Sequence, residues 1–280
     1  MTITIIGGGI IGLTTAFELT EHGESVHLID AETSDYGTAD DGTALYPAAS
    51  HYAGGMLAPI AEVQFQQDAL FPLMTASADA YPSLMERLSR ATDLPTGYDT
   101  TGTLIIAADR ADAEHLQRTR AYYRDMNRPA DPVTPTQARA LEPLLAPRIA
   151  GAVSIPSDHQ LHPRLMRRAL KDALTRRGVT FSAERVTDPD AGDIICTGLG
   201  ATLHGDYPLR PVYGDILRLR APRPILKHVV RGYVNSRPVY LIPRPDGELC
   251  IGATSREDHR TLPAIDGVHQ LLRDAIRLVP

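Results

Sequence analysis

The stretch Ile3–Asp30, "ITIIGGGIIGLTTAFELTEHGESVHLID", decides the fold. It opens on a β-branched run that stops at glycines, the pattern of a buried parallel strand. From Ile10 to Thr20 the apolar positions fit a helix, which His22-Gly23 closes. "SVHLID" then reads as a second strand. The three pieces make a β-α-β unit of about thirty residues, the length such units need. Gly7, Gly9 and Gly12 fall on its turn and first helical turn, and Asp30 follows Gly12 by 18 residues. Gly7 permits a tight turn, Gly9 leaves no side chain against a pyrophosphate, and Gly12 lets helix and strand pack closely. The helix start offers N–H groups and a positive dipole end to phosphates, while Asp30 can accept from ribose hydroxyls. This is a dinucleotide clamp that allows NAD(P) and FAD equally.

Working outward, 280 residues give room for one large or two modest domains. A formal net charge of −6, with acids and bases interspersed, gives no concentrated basic surface for nucleic acid. The densest basic run, Arg164–Gly178, reads as an amphipathic helix with Leu165, Met166, Ala169, Leu170, Ala173 and Leu174 on one face. Its bases mostly occupy the opposite, solvated face. Cys196 and Cys250 sit in strand-like runs with neither metal-ligand spacing nor a disulfide framework, so buried free thiols in a reducing compartment are expected. With no basic leader and no membrane-length apolar run, the expected location is cytoplasmic, with no membrane partner. A homo-oligomer stays open.

Residues 33–47 form a polar loop whose three aspartates lack EF-hand spacing. In "SHYAGGMLAPIAEV", Ser50–Val63, small residues allow close backbone approach, and "EVQFQQDALFPLM" continues in a helix-like pattern. Over 77–145, helices are expected at 81–92, 111–126 and 135–145, with one strand, "GTLIIAA". Prolines at 129, 132, 135, 143 and 147 interrupt this region, which reads as a lobe inserted between halves of the first domain. "DIICTGLGA", Asp193–Ala201, returns to the strand-then-glycine style. "PVYGDILRLR" and "VYLIPRPDGELCIGAT" read as antiparallel strands, the second a hairpin around Pro-Asp-Gly. "IDGVHQLLRDAIRLVP" is an amphipathic helix with Val268, Leu271, Leu272, Ala275 and Val279 on one face. There is no Gly-x-Ser-x-Gly elbow and no phosphate loop. His159 and His162 stand three apart in a proline-bounded loop, which is not metal-pair spacing. What remains is redox chemistry on a bound dinucleotide, where the cofactor carries the hard step and the protein supplies orientation.

Four ordered landmarks, "IIGGGIIGL", "YAGGMLAP", "DHQLHPRLMRRAL" and the pair "RPVYGDILRL" with "VYLIPRPDGELCIGATSRED", give the chain a family resemblance. It resembles the FAD-dependent D-amino acid oxidase superfamily, and most of all the glycine oxidases of thiamine biosynthesis. The resemblance implies an α/β fold (α+β overall): a Rossmann-like FAD-binding domain with an inserted, mainly antiparallel β-sheet substrate domain. The expected boundaries are 1–76 and 146–208 for the first and 77–145 and 209–280 for the second. It implies FAD as cofactor, and a small amino acid or amine with O₂ as the reacting partners. Products would be an imine, then the keto acid (glyoxylate from glycine), ammonia and H₂O₂.

Residue by residue, Gly7, Gly9 and Gly12 match the glycine loop, and Ile10 and Ile11 its backbone approach to the pyrophosphate. Asp30 and Ala31 match the ribose site, Ala49 and Ser50 the second flavin loop, and Gly54, Gly55 and Met56 its end near the isoalloxazine. Val186 matches a backbone contact to the adenine side. Tyr240 matches a tyrosine holding the substrate carboxylate, and Met56 also borders the substrate. Arg244 matches a residue whose family role is structural. No residue is assigned as catalytic and none as a metal ligand, since the flavin would carry the chemistry. Ser255 stands where many glycine oxidases have methionine, and the family continues past Pro280 with an arginine-bearing strand and a glycine-rich return. The expectation is therefore a truncated piece or a shortened protein. A non-catalytic FAD-binding module and an NAD(P)-dependent dehydrogenase stay as alternatives.

Overall fold

The computed structural model describes residues 1–31, 49–63, 68–125, 129–186, 188, 190–199, 209–258 and 262–280. The aspartate-bearing loop at 33–47 lies outside them. In chain order the first elements are β1 (Thr2–Ile6), α1 (Ile10–Glu21), β2 (Ser25–Asp30), α2 (Ala49–Tyr52), β3 (Met56–Leu57) and α3 (Phe71–Ala91). Then come β4 (Thr103–Ala107), α4 (Arg110–Asp125), β5 (Asp131–Val133), α5 (Pro135–Leu141), β6 (Gly151–Ile155), β7 (His159–Gln160) and α6 (Pro163–Arg176). The last are β8 (Thr180–Ala183), β9 (Ile194–Ile195), β10 (Ile216–Arg220), β11 (Val229–Val234), β12 (Arg237–Pro243), β13 (Glu248–Gly252) and α7 (Ile265–Leu278). The chain divides into two compact units: residues 1–53, 83–96 and 162–211, and residues 54–82, 97–161 and 212–280.

The first unit is built on a parallel sheet in the order β8-β2-β1-β9. β1 and β2 run in register from Thr2 opposite Ser25 to Ile6 opposite Ile29, as the opening stretch predicts. Parallel neighbours need a crossover, and α1 supplies it. Leu13, Ala16 and Phe17 have no exposed surface. Full burial of a side chain such as Leu13 or Phe17 stabilises by about 1.5–3 kcal/mol. α1 ends at His22, and Gly23 takes φ +83°, a conformation that favours glycine. α6 buries Met166, Ala169, Leu170, Ala173 and Leu174, the expected apolar stripe. One of its bases breaks the expected pattern: Arg167 is 2% exposed. Cys196 is half-buried rather than buried, whereas Cys250 is buried, and both are free thiols.

The second unit holds a seven-stranded sheet, β10-β13-β12-β11-β4-β6-β5. Its pairings are antiparallel except β11 with β4. Side chains alternate between its faces. One face, with Leu104, Ile106, Val230, Val239, Leu241 and Ile251, packs with Leu271, Ala275 and Leu278 of α7. The other, with Ile105, Val153, Ile155 and Tyr233, is covered by Ile60, Ala61, Phe71 and Tyr123. β4 and β11 are buried along their whole length; β4 reads as a near-continuous apolar run, whereas β11 carries a buried arginine, Arg231.

Two local expectations are corrected, and one hairpin is new. In the helix-like pattern at 62–74, residues 62–63 and 68–70 are not helical, residues 64–67 lie outside the described ones, and α3 begins at Phe71; Asp158 accepts from the amides of Ile60 and Ala61 in the turn just before. On α7, Leu272 faces outward at 36% exposure while Asp274 is buried, since Arg237 grips both its oxygens at 3.0 and 2.9 Å. The β11–β12 hairpin has no counterpart in the sequence reading. Its turn is Asn235-Ser236, both with positive φ, the geometry of a two-residue hairpin loop. Their amides donate to buried Asp112. Among the described residues no helix is long and apolar enough to cross a membrane.

Candidate active site

In the first unit the candidate residues gather at the glycine turn between β1 and α1, at the edge where the parallel strands end. Gly7 has φ +107°, and a side chain there would stand 2.3 Å from the Cys196 carbonyl oxygen at the end of β9. Its amide donates to Ile29 O at 2.7 Å, tying the turn to β2. A Cβ on Gly12 would lie 1.9 Å from Gly7 O, so the first turn of α1 rests directly on the backbone before it. Where Gly9 would carry a side chain, Ser50 Oγ at 3.6 Å is the nearest atom, leaving an approach that a larger residue would fill. The Ile10 amide donates to Ser50 Oγ at 3.0 Å, so α2 caps the start of α1.

Gly8 is a site residue that the sequence reading missed. A Cβ there would sit 2.2 Å from Asp30 Oδ2, so only glycine lets the carboxylate of β2 lie over the turn. Arg167 was also missed: its Nη2 donates to Gly8 O at 3.3 Å from beneath. Arg164 Nε donates to His51 O at 3.1 Å and steadies α2. Gly7, Gly9, Ile10, Gly12, Asp30 and Ser50 are thus brought together. Ile11 is 69% exposed in the first turn of α1, and Ala31 and Ala49 are exposed on either side. Val186 lies just beyond β8, where Glu184 N donates to Asp30 O at 3.1 Å. A helix start, an uncrowded glycine and a carboxylate at the strand end fit the pyrophosphate and ribose of a dinucleotide.

A separate cluster lies within the other unit, around Tyr240. Gly54 and Gly252 flank the Tyr240 hydroxyl: a Cβ on Gly54 would be 3.3 Å from it, and one on Gly252 only 2.3 Å. Met56 and Tyr240 both pack against Val229, Ile242 and Cys250. Burial pushes the Tyr240 phenol well above its ordinary pKa, so it stays protonated and can donate. β3 pairs with β7, and Leu161 N donates to Gly55 O at 2.9 Å. Arg244, 2% exposed, donates Nη2 to Gly54 O and Nη1 to Gln160 Oε1 at 2.9 Å. It therefore fixes the Gly54–Met56 loop rather than facing a ligand with those groups. His159 bonds Tyr98 at 2.7 Å, and burial lowers its pKa. Among the described residues no three metal-donor side chains gather.

Comparison with known proteins separates FAD from NAD(P). Residues 2–280 match the family "FAD dependent oxidoreductase" (DAO). A glycine oxidase of Geobacillus kaustophilus is 29% identical, over 99% of this chain and 76% of its own. A protein of Rhizobium etli named putative thiamine biosynthesis oxidoreductase ThiO is 30% identical, over 92% and 72%. The crystal structure of glycine oxidase from Geobacillus kaustophilus superposes with a TM-score of 0.82 at 28% identity, covering 99% of this chain and 78% of that one. FAD is the cofactor, and the chain belongs to the DAO family of FAD dependent oxidoreductases.

Proposed function

We propose that the protein is an amine oxidase that deaminates glycine or small D-amino acids, as a step supplying thiamine biosynthesis. The observation that carries the reading is the protonated Tyr240 hydroxyl, seated between Gly54 and Gly252 beside Met56. A buried phenol donor suits one oxygen of an amino-acid carboxylate, and an apolar neighbour suits a short side chain. The names of the Geobacillus and Rhizobium relatives point the same way.

FAD, when bound, supplies an acceptor for the hydride of the substrate α-carbon and passes the two electrons to O₂, giving H₂O₂. The chain's own part is binding and orientation. Gly7, Gly9, Ile10, Ile11, Gly12 and Ser50 take the pyrophosphate, Asp30 and Ala31 the ribose, and Val186 the adenine side. Gly54, Gly55 and Met56 shape the space at the substrate, Tyr240 orients its carboxylate, and Arg244 keeps the loop in place. Loss of the α-hydrogen leaves an imine, and water converts it to the keto acid and ammonia. No protein base is needed, because the lone pair of a deprotonated amine drives hydride departure. We place the protein in the cytoplasm, in keeping with its two free thiols.

The test is H₂O₂ release from flavin-loaded protein on adding glycine, sarcosine or D-alanine, with glyoxylate measured for glycine. Release with at least one of them is expected. Silence with all three, at full flavin loading, refutes the reading.

A further inference from the structure

Arg231 has a side chain nine-tenths buried and lies directly across from Tyr240 on the neighbouring antiparallel strand. Such partners share a face, with Cβ atoms about 4.5–5.5 Å apart. Arg231 Nη1 donates to Glu62 Oε1 at 2.9 Å. Its Nε is shielded from solvent and has no partner among the described residues, and Nη2 makes no hydrogen bond to them either. A guanidinium offers a carboxylate a planar two-donor fork, and here the Nε–Nη2 pair of donors is unpaired among the described residues. A buried donor left without an acceptor is costly, and an incoming acceptor would recover that cost. Glu62 is 38% exposed, so the ion pair borders solvent on that side. Asp158, holding the amides of Ile60 and Ala61, fixes the turn from which Glu62 projects.

We propose that the open edge of Arg231 receives a second acid group of the substrate, so that the preferred amine carries two carboxylates. Resting on the amine-oxidase reading, it names the substrate class. One carboxylate goes to Tyr240. The other, a few bonds further along the ligand, goes to Arg231 one strand away. Glycine is too short to span the two positions and leaves the fork empty. Two charge-assisted hydrogen bonds in a shielded place discriminate by about 10- to 100-fold between ligands that make them and ligands that cannot.

The experiment compares glycine with iminodiacetate, and D-alanine with D-aspartate, by peroxide release from the flavin-loaded protein. The parent is expected to favour the diacid of each pair in kcat/KM by about tenfold or more. Arg231→Gln should erase that ratio by raising KM for the diacid far more than for the monoacid. Arg231→Lys keeps the charge opposite Glu62 but lacks the fork, so it should lose most of the preference while melting close to the parent. It also serves if the glutamine variant does not fold. Equal handling of both acids by the parent, or a ratio unchanged in Arg231→Lys, overturns the proposal and leaves the amine-oxidase reading standing. If no amine is oxidised, the reading itself fails and the proposal falls with it.

Discussion

Gly12→Ala puts a methyl group 1.9 Å from the Gly7 carbonyl oxygen and 3.3 Å from Cys196 Cβ. Ordinary contact starts at 3.4 Å, so the shortfall is 3.4 − 1.9 = 1.5 Å. The obstructing atom is backbone, pinned through the Gly7 amide to Ile29 O, and has no rotamer to escape into. Alanine offers α1 about 1 kcal/mol of extra helix propensity. Against it stands an overpacking cost of about 1–3 kcal/mol, more where backbone must move. Lifting α1 also opens gaps around Leu13, Ala16 and Phe17, which have no exposed surface. A gap of about 0.5–1 Å forfeits a quarter to a half of each contact's dispersion attraction. Destabilisation therefore wins, by about 2 kcal/mol or more, which lowers Tm by about 5 °C for a chain of this length. The start of α1 moves with the helix, so FAD affinity should fall by about tenfold. Thermal melting of the apoprotein and a titration of FAD fluorescence measure the two effects separately. Gly23→Ala is the control, with φ +83° and no atom within 4 Å of the added carbon. It should cost about 1 kcal/mol from backbone strain and leave FAD binding alone. Were Gly12→Ala to melt with the parent and bind FAD equally well, the close-packing argument for this glycine would be wrong.

Arg244→Met should cost about 2–4 kcal/mol in urea unfolding, because Gly54 O and Gln160 Oε1 lose their buried donors. Arg244→Lys should recover only part, since one ammonium cannot reproduce the fork. Tyr240→Phe keeps the packing and removes the phenol, so KM for the amino acid should rise by about tenfold with FAD affinity intact. Burial raises the Asp158 carboxyl to about 7, opposed by the Ala61 and Ile60 amides. A folded pKa above the unfolded one means stability that is full below about pH 4 and is lost as pH rises through 7. The urea midpoint of the parent should therefore fall between about pH 4 and 7 relative to that of Asp158→Asn. Parallel pH profiles for the two proteins would refute that assignment.

The β-α-β unit was legible because its reasons are local. Strand, turn glycines, helix and acid all lie within Thr2–Asp30, and each constraint acts on a neighbour a few residues away. Gly8 escaped the same reading although it stands in the same turn. What demands glycine there is Asp30 Oδ2, which reaches back over the turn from the end of the next strand. Arg167 escaped because helical periodicity sorts bases to the solvated side, and only the docking of α6 beneath the glycine turn gives a buried guanidinium a carbonyl to bind. Asp158, nearly a hundred residues further along, holds the amides of Ile60 and Ala61 in a turn just before the helix-like pattern at 62–74, a contact that periodicity cannot see.

The substrate half depends on register, and register depends on one turn. Residues 229–243 carry β-branched and aromatic side chains on both sides of Asn235-Ser236. Asparagine is among the residues that most readily take positive φ, so this pair is a two-residue hairpin signal of moderate strength. Once it is read as the turn, Val234 must face Arg237, and stepping inward brings Arg231 opposite Tyr240. The next strand then follows from the Pro-Asp-Gly turn, which sets Tyr240 opposite Gly252. Two short turns therefore place an arginine, a tyrosine and a glycine in one row across three strands. The glycine is required because the tyrosine hydroxyl occupies the space over it, and the arginine is buried because Ile60 and Ala61 cover that face. The row explains why Tyr240, an ordinary strand tyrosine by its local sequence, stands beside Arg231, the pairing on which the proposed recognition of a diacid rests.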